Sequence, residues 1–217
     1  MRMVSLLLTV AAVTAPLSLQ AQEPADTREF RVDSESSWIR ILAYPDGPLR
    51  RFGHHHVISH QGVSGTVEVA PNPLDSTVTL EIAVAGLTVD DPDMRALEGE
   101  DFEGEVPEKD IAGTRANMLG DRLLQGERFP LIRIRSTGMD GDMPDVRMTA
   151  SVTVRGIENP VTFPVHVDLA DDTFVATGQM DLTHAELGLA PFTAAGGALS
   201  VRDLLVLKYE ITGRAVH

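Results

Sequence analysis

From Val146 to Leu182 apolar and polar residues alternate with period two, interrupted only by short turn sequences. Such a run is the signature of antiparallel strands in a sheet with one dry face and one wet face. Val146, Met148, Ala150, Val152 and Val154 share one side; Arg147, Thr149, Ser151, Thr153 and Arg155 share the other. Val161, Phe163, Val165, Val167 and Leu169 repeat the pattern against Thr162, Pro164, His166 and Asp168. Gly156-Ile157-Glu158-Asn159-Pro160 between the two runs reads as the turn of a long hairpin. Asp171-Asp172 makes a second turn, after which Phe174, Ala176, Gly178, Met180 and Leu182 continue on the apolar side.

Earlier strands are predicted near 28–43, 61–70, 76–88 and 130–137. A last strand carries Leu199, Val201, Asp203, Leu205, Leu207, Tyr209 and Ile211. Leu204 and Val206 stand on its other side, which predicts cover on both faces in the middle. Helical spacing is confined to 107–124, where Ile111, Met118, Leu119 and Leu123 share a face and Glu108 and Asp110 suit the positive helix end. The acidic stretch 90–110 lacks the ligand spacing of a calcium loop and reads as a solvated surface loop.

Seven or eight antiparallel strands in sequence order form a meander. A meander of this size removes its exposed edges by closing. The predicted fold is all-β with a short helical insertion, an eight-stranded antiparallel barrel. Its interior is just wide enough for side chains or one small ligand. A two-layer sandwich is the alternative and would leave no continuous cavity.

Composition narrows the functions. The chain has 217 residues, 43% hydrophobic, enough for one domain with a sizeable core. A net charge of -14 excludes the counterion-displacing surface of a non-specific nucleic-acid binder. Cysteine is absent, which removes disulfides, thiolate metal sites, a cysteine nucleophile and a lipidated N-terminal cysteine. Arg2 followed by the apolar run Met3–Val13 reads as a secretory signal, too short to span as a mature helix. Cleavage is expected after Ala21, giving a mature domain of 22–217, periplasmic if the source is Gram-negative. The mature charge is then -15, since Arg2 is the single charged residue removed.

No Gly-x-Ser-x-Gly, His-Glu-x-x-His or glycine-rich nucleotide loop is present, so no enzyme is predicted. Four of the seven histidines, His54, His55, His56 and His60, fall within seven positions. In an extended segment His54, His56 and His60 project from one side, and imidazole pairs of this kind begin zinc, copper or nickel sites. A polar loop at a barrel mouth, or incidental surface histidines, is the alternative. His184, Asp33, Asp203 or His166 would be needed to complete a divalent-metal site.

The segment Val152-Thr153-Val154-Arg155-Gly156-Ile157-Glu158-Asn159-Pro160-Val161-Thr162-Phe163-Pro164-Val165 resembles the central hairpin of the YceI-like family. Arg115, Met118 and Leu119, followed by Phe129-Pro130-Leu131-Ile132-Arg133-Ile134-Arg135-Ser136, are similar to that family's helix and next strand. Phe30–Ser37 resembles its opening strand, Gly62-Val63-Ser64-Gly65 its early glycine turn, and Leu187-Gly188-Leu189 its approach to the final strand. The likeness spans about 30–214 in order. The chain departs from it at Gly53-His54-His55-His56, where a single histidine is common, and around Ala185–Gly188. The resemblance implies an exported, lipocalin-like barrel that binds a long amphiphile of the lipid or polyisoprenoid kind without catalysis and without a required cofactor.

On that reading Val152, Val154, Phe163, Val165, Val167, Phe174, Met180 and Leu182 line the ligand cavity. They would equally serve to fill a small barrel. A buried hydrocarbon gains roughly 0.8 kcal/mol per CH2, so an apolar wall needs no polar motif to bind. Arg115 on the helix would pair a ligand head group, or cap a buried acidic residue. Three functions compete: a carrier of a long-chain lipid or isoprenoid, a metal-binding protein using His54, His56 and His60, and an interaction protein with a packed barrel. Homodimerisation through edges or mouth and transient membrane contact are open to such a chain, and nothing in the sequence establishes either.

Overall fold

The computed structural model describes residues 27–216. The export signal expected at 1–21 lies outside the described residues. Eight long staves in sequence order form one closed antiparallel barrel. The first stave is β1 (Arg28–Val32) continued by β2 (Trp38–Ala43). A two-residue strand β3 (Pro45–Asp46) follows. The second stave is β4 (His56–Gln61) continued by β5 (Ser64–Val69), and the third is β6 (Thr77–Ala83) continued by β7 (Thr88–Val89). Two helices, α1 (Pro92–Ala96) and α2 (Glu108–Leu119), fill the connection to the fourth. Staves four to seven are β8 (Leu131–Asp142), β9 (Asp145–Val154), β10 (Ile157–Leu169) and β11 (Thr173–Thr183). After β12 (Thr193–Ala194) and β13 (Leu199–Val201), β14 (Leu204–Ala215) completes the set.

Closure is made along one edge of β14. Its far end pairs with β1, Val32 opposite Gly213, and its near end with β2, Trp38 opposite Glu210. Residues 33–37 therefore bulge out where two residues of β14 pass. Ser37, 1% exposed, stitches that bulge: its hydroxyl donates to the Asp33 carbonyl at 2.7 Å and accepts from the Thr212 amide at 3.0 Å. The second stave breaks in the same way at Gly62, whose φ of 101° suits only glycine comfortably.

Three sequence expectations shift. The second strand starts at His56 rather than near 61, so the histidine run leads directly into the barrel wall. The helix ends at Leu119, with Leu123 and Leu124 in the turn beyond; Met118 and Leu124 are buried, and Ile111, Leu119 and Leu123 pack on the core. The final strand is interrupted at Arg202-Asp203, because β13 peels away to join β3 and β12 in a small sheet.

The fourth correction is larger. The acidic stretch from 90 onward does not lie free in solvent between 90 and 102; it straps the outside of the barrel over β2, β4 and β14. Leu42, Val57 and Val206 point outward there and are covered by Phe102 and Met94. Asp90, 2% exposed, accepts from the Val57 amide at 2.9 Å and the Arg95 guanidinium at 2.7 Å, with the His56 ring at 2.6 Å. Burial opposes its ionisation, but the bonds from His56, Val57 and Arg95 outweigh that and hold the carboxyl below its ordinary value. The Glu98 side chain is fully buried between Arg40 at 2.6 Å and Lys208 at 2.5 Å. Arg40 in turn stacks on Trp38, 4.0 Å from the ring centroid. Buried carboxylates survive because each meets at least two cationic or N–H partners.

Removing one partner of a buried ion pair costs more than the pair contributes, because the other charge is stranded. Glu98→Ala leaves Arg40 and Lys208 beneath the strap with no anion. Urea unfolding is expected to show a loss of roughly 3 kcal/mol. A loss below about 1 kcal/mol would place the strap in the class of surface pairs.

Candidate ligand-binding site

Side chains alternate in and out along every stave, so the barrel inherits its interior from strand parity. The inward residues are mostly Val, Ile and Leu, too short to meet across the axis, and they leave a hollow. Two compartments lie end to end and share Ile39, Ile41, Ile132, Val154 and Leu187 in their walls. The inner one holds about 190 Å³ and the one at the mouth about 260 Å³. Ser76 and Tyr209 are the only described residues of the inner wall with a polar side chain.

Tyr209 is satisfied within the wall. Its hydroxyl donates to the Pro164 carbonyl across Gly178, where a Cβ would collide with both. Burial pushes its phenol far above its ordinary value, so it stays neutral. The same device recurs at Gly213, whose missing Cβ makes room for the Phe174 ring. An apolar cavity of about 150 Å³ stays dry and takes a benzene-sized guest, and the inner compartment has comparable size and lining.

Val152, Val154, Phe163, Val165, Val167, Phe174 and Leu182 all stand in the inner wall. Met180 packs against the core without lining either compartment. Arg115 is placed elsewhere: it is exposed on the outer side of α2, and its guanidinium donates to the carbonyls of Ala85 at 2.8 Å and Leu87 at 3.3 Å. It braces the helix to the third stave and caps no acidic residue.

The mouth is bounded by α2, the segment 53–56, the small sheet and the loop after β11. His54, His56, Thr114, Asn117, His184, Phe192 and Ser200 contribute to it. Arg122 holds the small sheet in place, stacking 4.3 Å from the Phe192 ring centroid and donating to the Thr193 carbonyl at 2.7 Å. Sequence pattern singled out His184 only as a remote metal ligand. Its place at the end of the apolar side of β11 is the signal that puts it at the mouth.

The three-histidine metal arrangement is not assembled. His54 and His56 are neighbours, with ring centroids 6.2 Å apart, but each faces its own carboxylate, Asp110 at 3.4 Å and Asp90 at 2.6 Å. His60 lies four residues along an extended strand, about 13 Å away at 3.3 Å per residue. Its ring is 4% exposed and fills the space over Gly86, with neither nitrogen in a hydrogen bond. The described residues hold no group of three or more histidine or carboxylate side chains placed to share a metal.

The YceI-like domain model matches residues 30–212, most of the chain, and this protein belongs to that family. Solved structures agree on the fold. Burkholderia cenocepacia BcnA superposes with a TM-score of 0.60 at 14% identity, covering 83% of this chain and 98% of that one. The Campylobacter jejuni YCEI protein gives 0.53 at 10% identity, covering 74% of this chain and 85% of its own. A mutant of the same protein, crystallised with a monobromobimane guest, gives 0.54 at 10% identity with the same coverage. Among curated proteins, none matches this sequence.

The buried imidazole of His60 makes stability depend on pH. Burial depresses its pKa from the ordinary 6.5, and contact with the Ala83 backbone opposes this only in part. The unfolded chain then binds the proton that the folded one refuses, so stability falls as pH drops below about 6.5. His60→Leu removes that component. The loss of melting temperature between pH 7.5 and 5.5 is expected to be smaller in the variant; equal losses would show that His60 titrates normally.

Proposed function

We propose that this protein is a non-catalytic carrier or sequestering protein for a long-chain lipid or isoprenoid-type amphiphile, held along the barrel axis with its chain in the inner compartment. The observation that carries this reading is the wall itself: a continuous lining of aliphatic side chains in an already formed, closed barrel. An apolar chain gains roughly 0.8 kcal/mol for each CH2 it buries there, before the entropy of immobilisation. Ten methylenes thus contribute about 8 kcal/mol toward binding without any specific polar contact. Membership of the YceI-like family supports the same reading.

We also propose that residues 1–21 direct export and are removed, leaving a mature protein that works outside the cytoplasm, in the periplasm if the source is Gram-negative. A lipid leaving one membrane for another must cross water there, and a lined barrel shields it.

Native mass spectrometry of the untagged protein, recovered from its secreting host, tests both. The expected spectrum is a chain starting at Gln22 plus an added mass in the range of a long-chain lipid. Ala176 lines the inner compartment with little more than a methyl group, so Ala176→Trp fills it. That variant is expected to fold, as judged by circular dichroism, and to lose most of the added mass. Retention of the same lipid by the filled barrel would move the guest out of the cavity.

A further inference from the structure

His184 is 5% exposed in the wall of the mouth compartment. Its Nδ1 lies 2.9 Å from the backbone carbonyl oxygen of Asp203. A carbonyl only accepts, so Nδ1 carries the hydrogen. In the neutral ring this leaves Nε2 as a bare acceptor, with no partner among the described residues. His56, in the same wall, is fixed in the same sense. Its Nδ1 lies 2.6 Å from the Asp90 carboxylate, and its Nε2 has only the Thr114 hydroxyl nearby, at 3.4 Å.

The compartment therefore presents imidazole acceptors. It presents no cation of the lysine or arginine type: none lines either compartment among the described residues. The carboxylate of Asp110 stands 3.4 Å from His54 at the rim. A carboxylate or phosphate drawn in here would shed water and meet lone pairs and a like charge. A hydroxyl would shed water and regain its hydrogen bond, and the Nε2 of His184 would gain a partner.

We propose that the mouth compartment is a head-group site for a neutral hydroxyl, so that the guest is a long-chain alcohol or phenol whose O–H donates to Nε2 of His184, with His56 as the second acceptor. This rests on the carrier reading above and specifies the polar end of its ligand.

The test uses the mature protein stripped of bound lipid, at pH 8, with four probes of one chain length competing against a fluorescent fatty-chain dye. The probes are 1-hexadecanol, its methyl ether, hexadecanoate and hexadecyl phosphate. The alcohol is expected to bind roughly 3- to 10-fold more tightly than the ether, the scale of one net hydrogen bond, and more tightly than both anions. His184→Phe should erase the preference for alcohol over ether and leave the affinity for the ether within about 2-fold. His184→Gln, which can present a carbonyl acceptor, should retain part of it and guards against misfolding of the first variant. Equal binding of alcohol and ether, or tighter binding of either anion, overturns the head-group assignment while the carrier reading stands. Failure of all four probes to displace the dye overturns the carrier reading and this assignment with it.

Discussion

Everything in this molecule depends on the first stave meeting the last. The pairing of β1 and β2 with one edge of β14 turns an open meander into a closed wall. Closure removes the sheet edges that would otherwise invite another chain, and it fixes the interior at the width that eight strands allow. The first and second staves cannot follow β14 and its neighbours without a change of register, and each breaks once, at 33–37 and at Gly62. Ser37 at the first break uses its hydroxyl in place of ladder hydrogen bonds. With closure made, strand parity alone decides which residues see the axis. Their short aliphatic side chains then leave a hollow rather than a filled centre.

The outer surface is organised by a different force. Leu42, Val57 and Val206 would expose an apolar patch on the wet side of the barrel. The strap from Asp90 to Phe102 covers it, and two of its acids, Asp90 and Glu98, are anchored rather than solvated. Glu98 meets Arg40 and Lys208, and Asp90 meets Arg95, His56 and the Val57 amide. The strap also couples outside to inside, because the His56 ring that lines the mouth is held by the same carboxylate that fixes α1 to β4. The mouth of the barrel and the outer clamp therefore share one buried acid.

The sequence was legible where one face of a stave is wet. In β9, β10 and β11 every second residue contacts water, so Val152, Val154, Phe163, Val165, Val167, Phe174 and Leu182 announced themselves, and the structure puts all seven in the inner wall. Legibility failed where both faces are covered. Along β4 the run Val57, Ile58, Ser59 and His60 is wholly buried, so period two disappears and the strand start was placed too late. The strap was misread for a related reason. Its acids look like any solvated acidic loop until their partners are known, and those partners lie 34 residues away for Asp90 with His56 and 110 away for Glu98 with Lys208. Histidine spacing misled in the opposite direction. Shared parity puts His54, His56 and His60 on one side of a strand, but strand rise keeps the last of them about 13 Å from its nearest partner.

The central claim is that the barrel axis is a channel for an extended apolar molecule. A crystal structure of the protein purified from its secreting host, with no lipid added, tests it most directly. The expected map shows one elongated feature running from the level of Phe163 past Ile41 and Leu187, with its polar end within hydrogen-bonding distance of Nε2 of His184. A chain of ordered waters along that path, or inward side chains collapsed against one another across the axis, would contradict it.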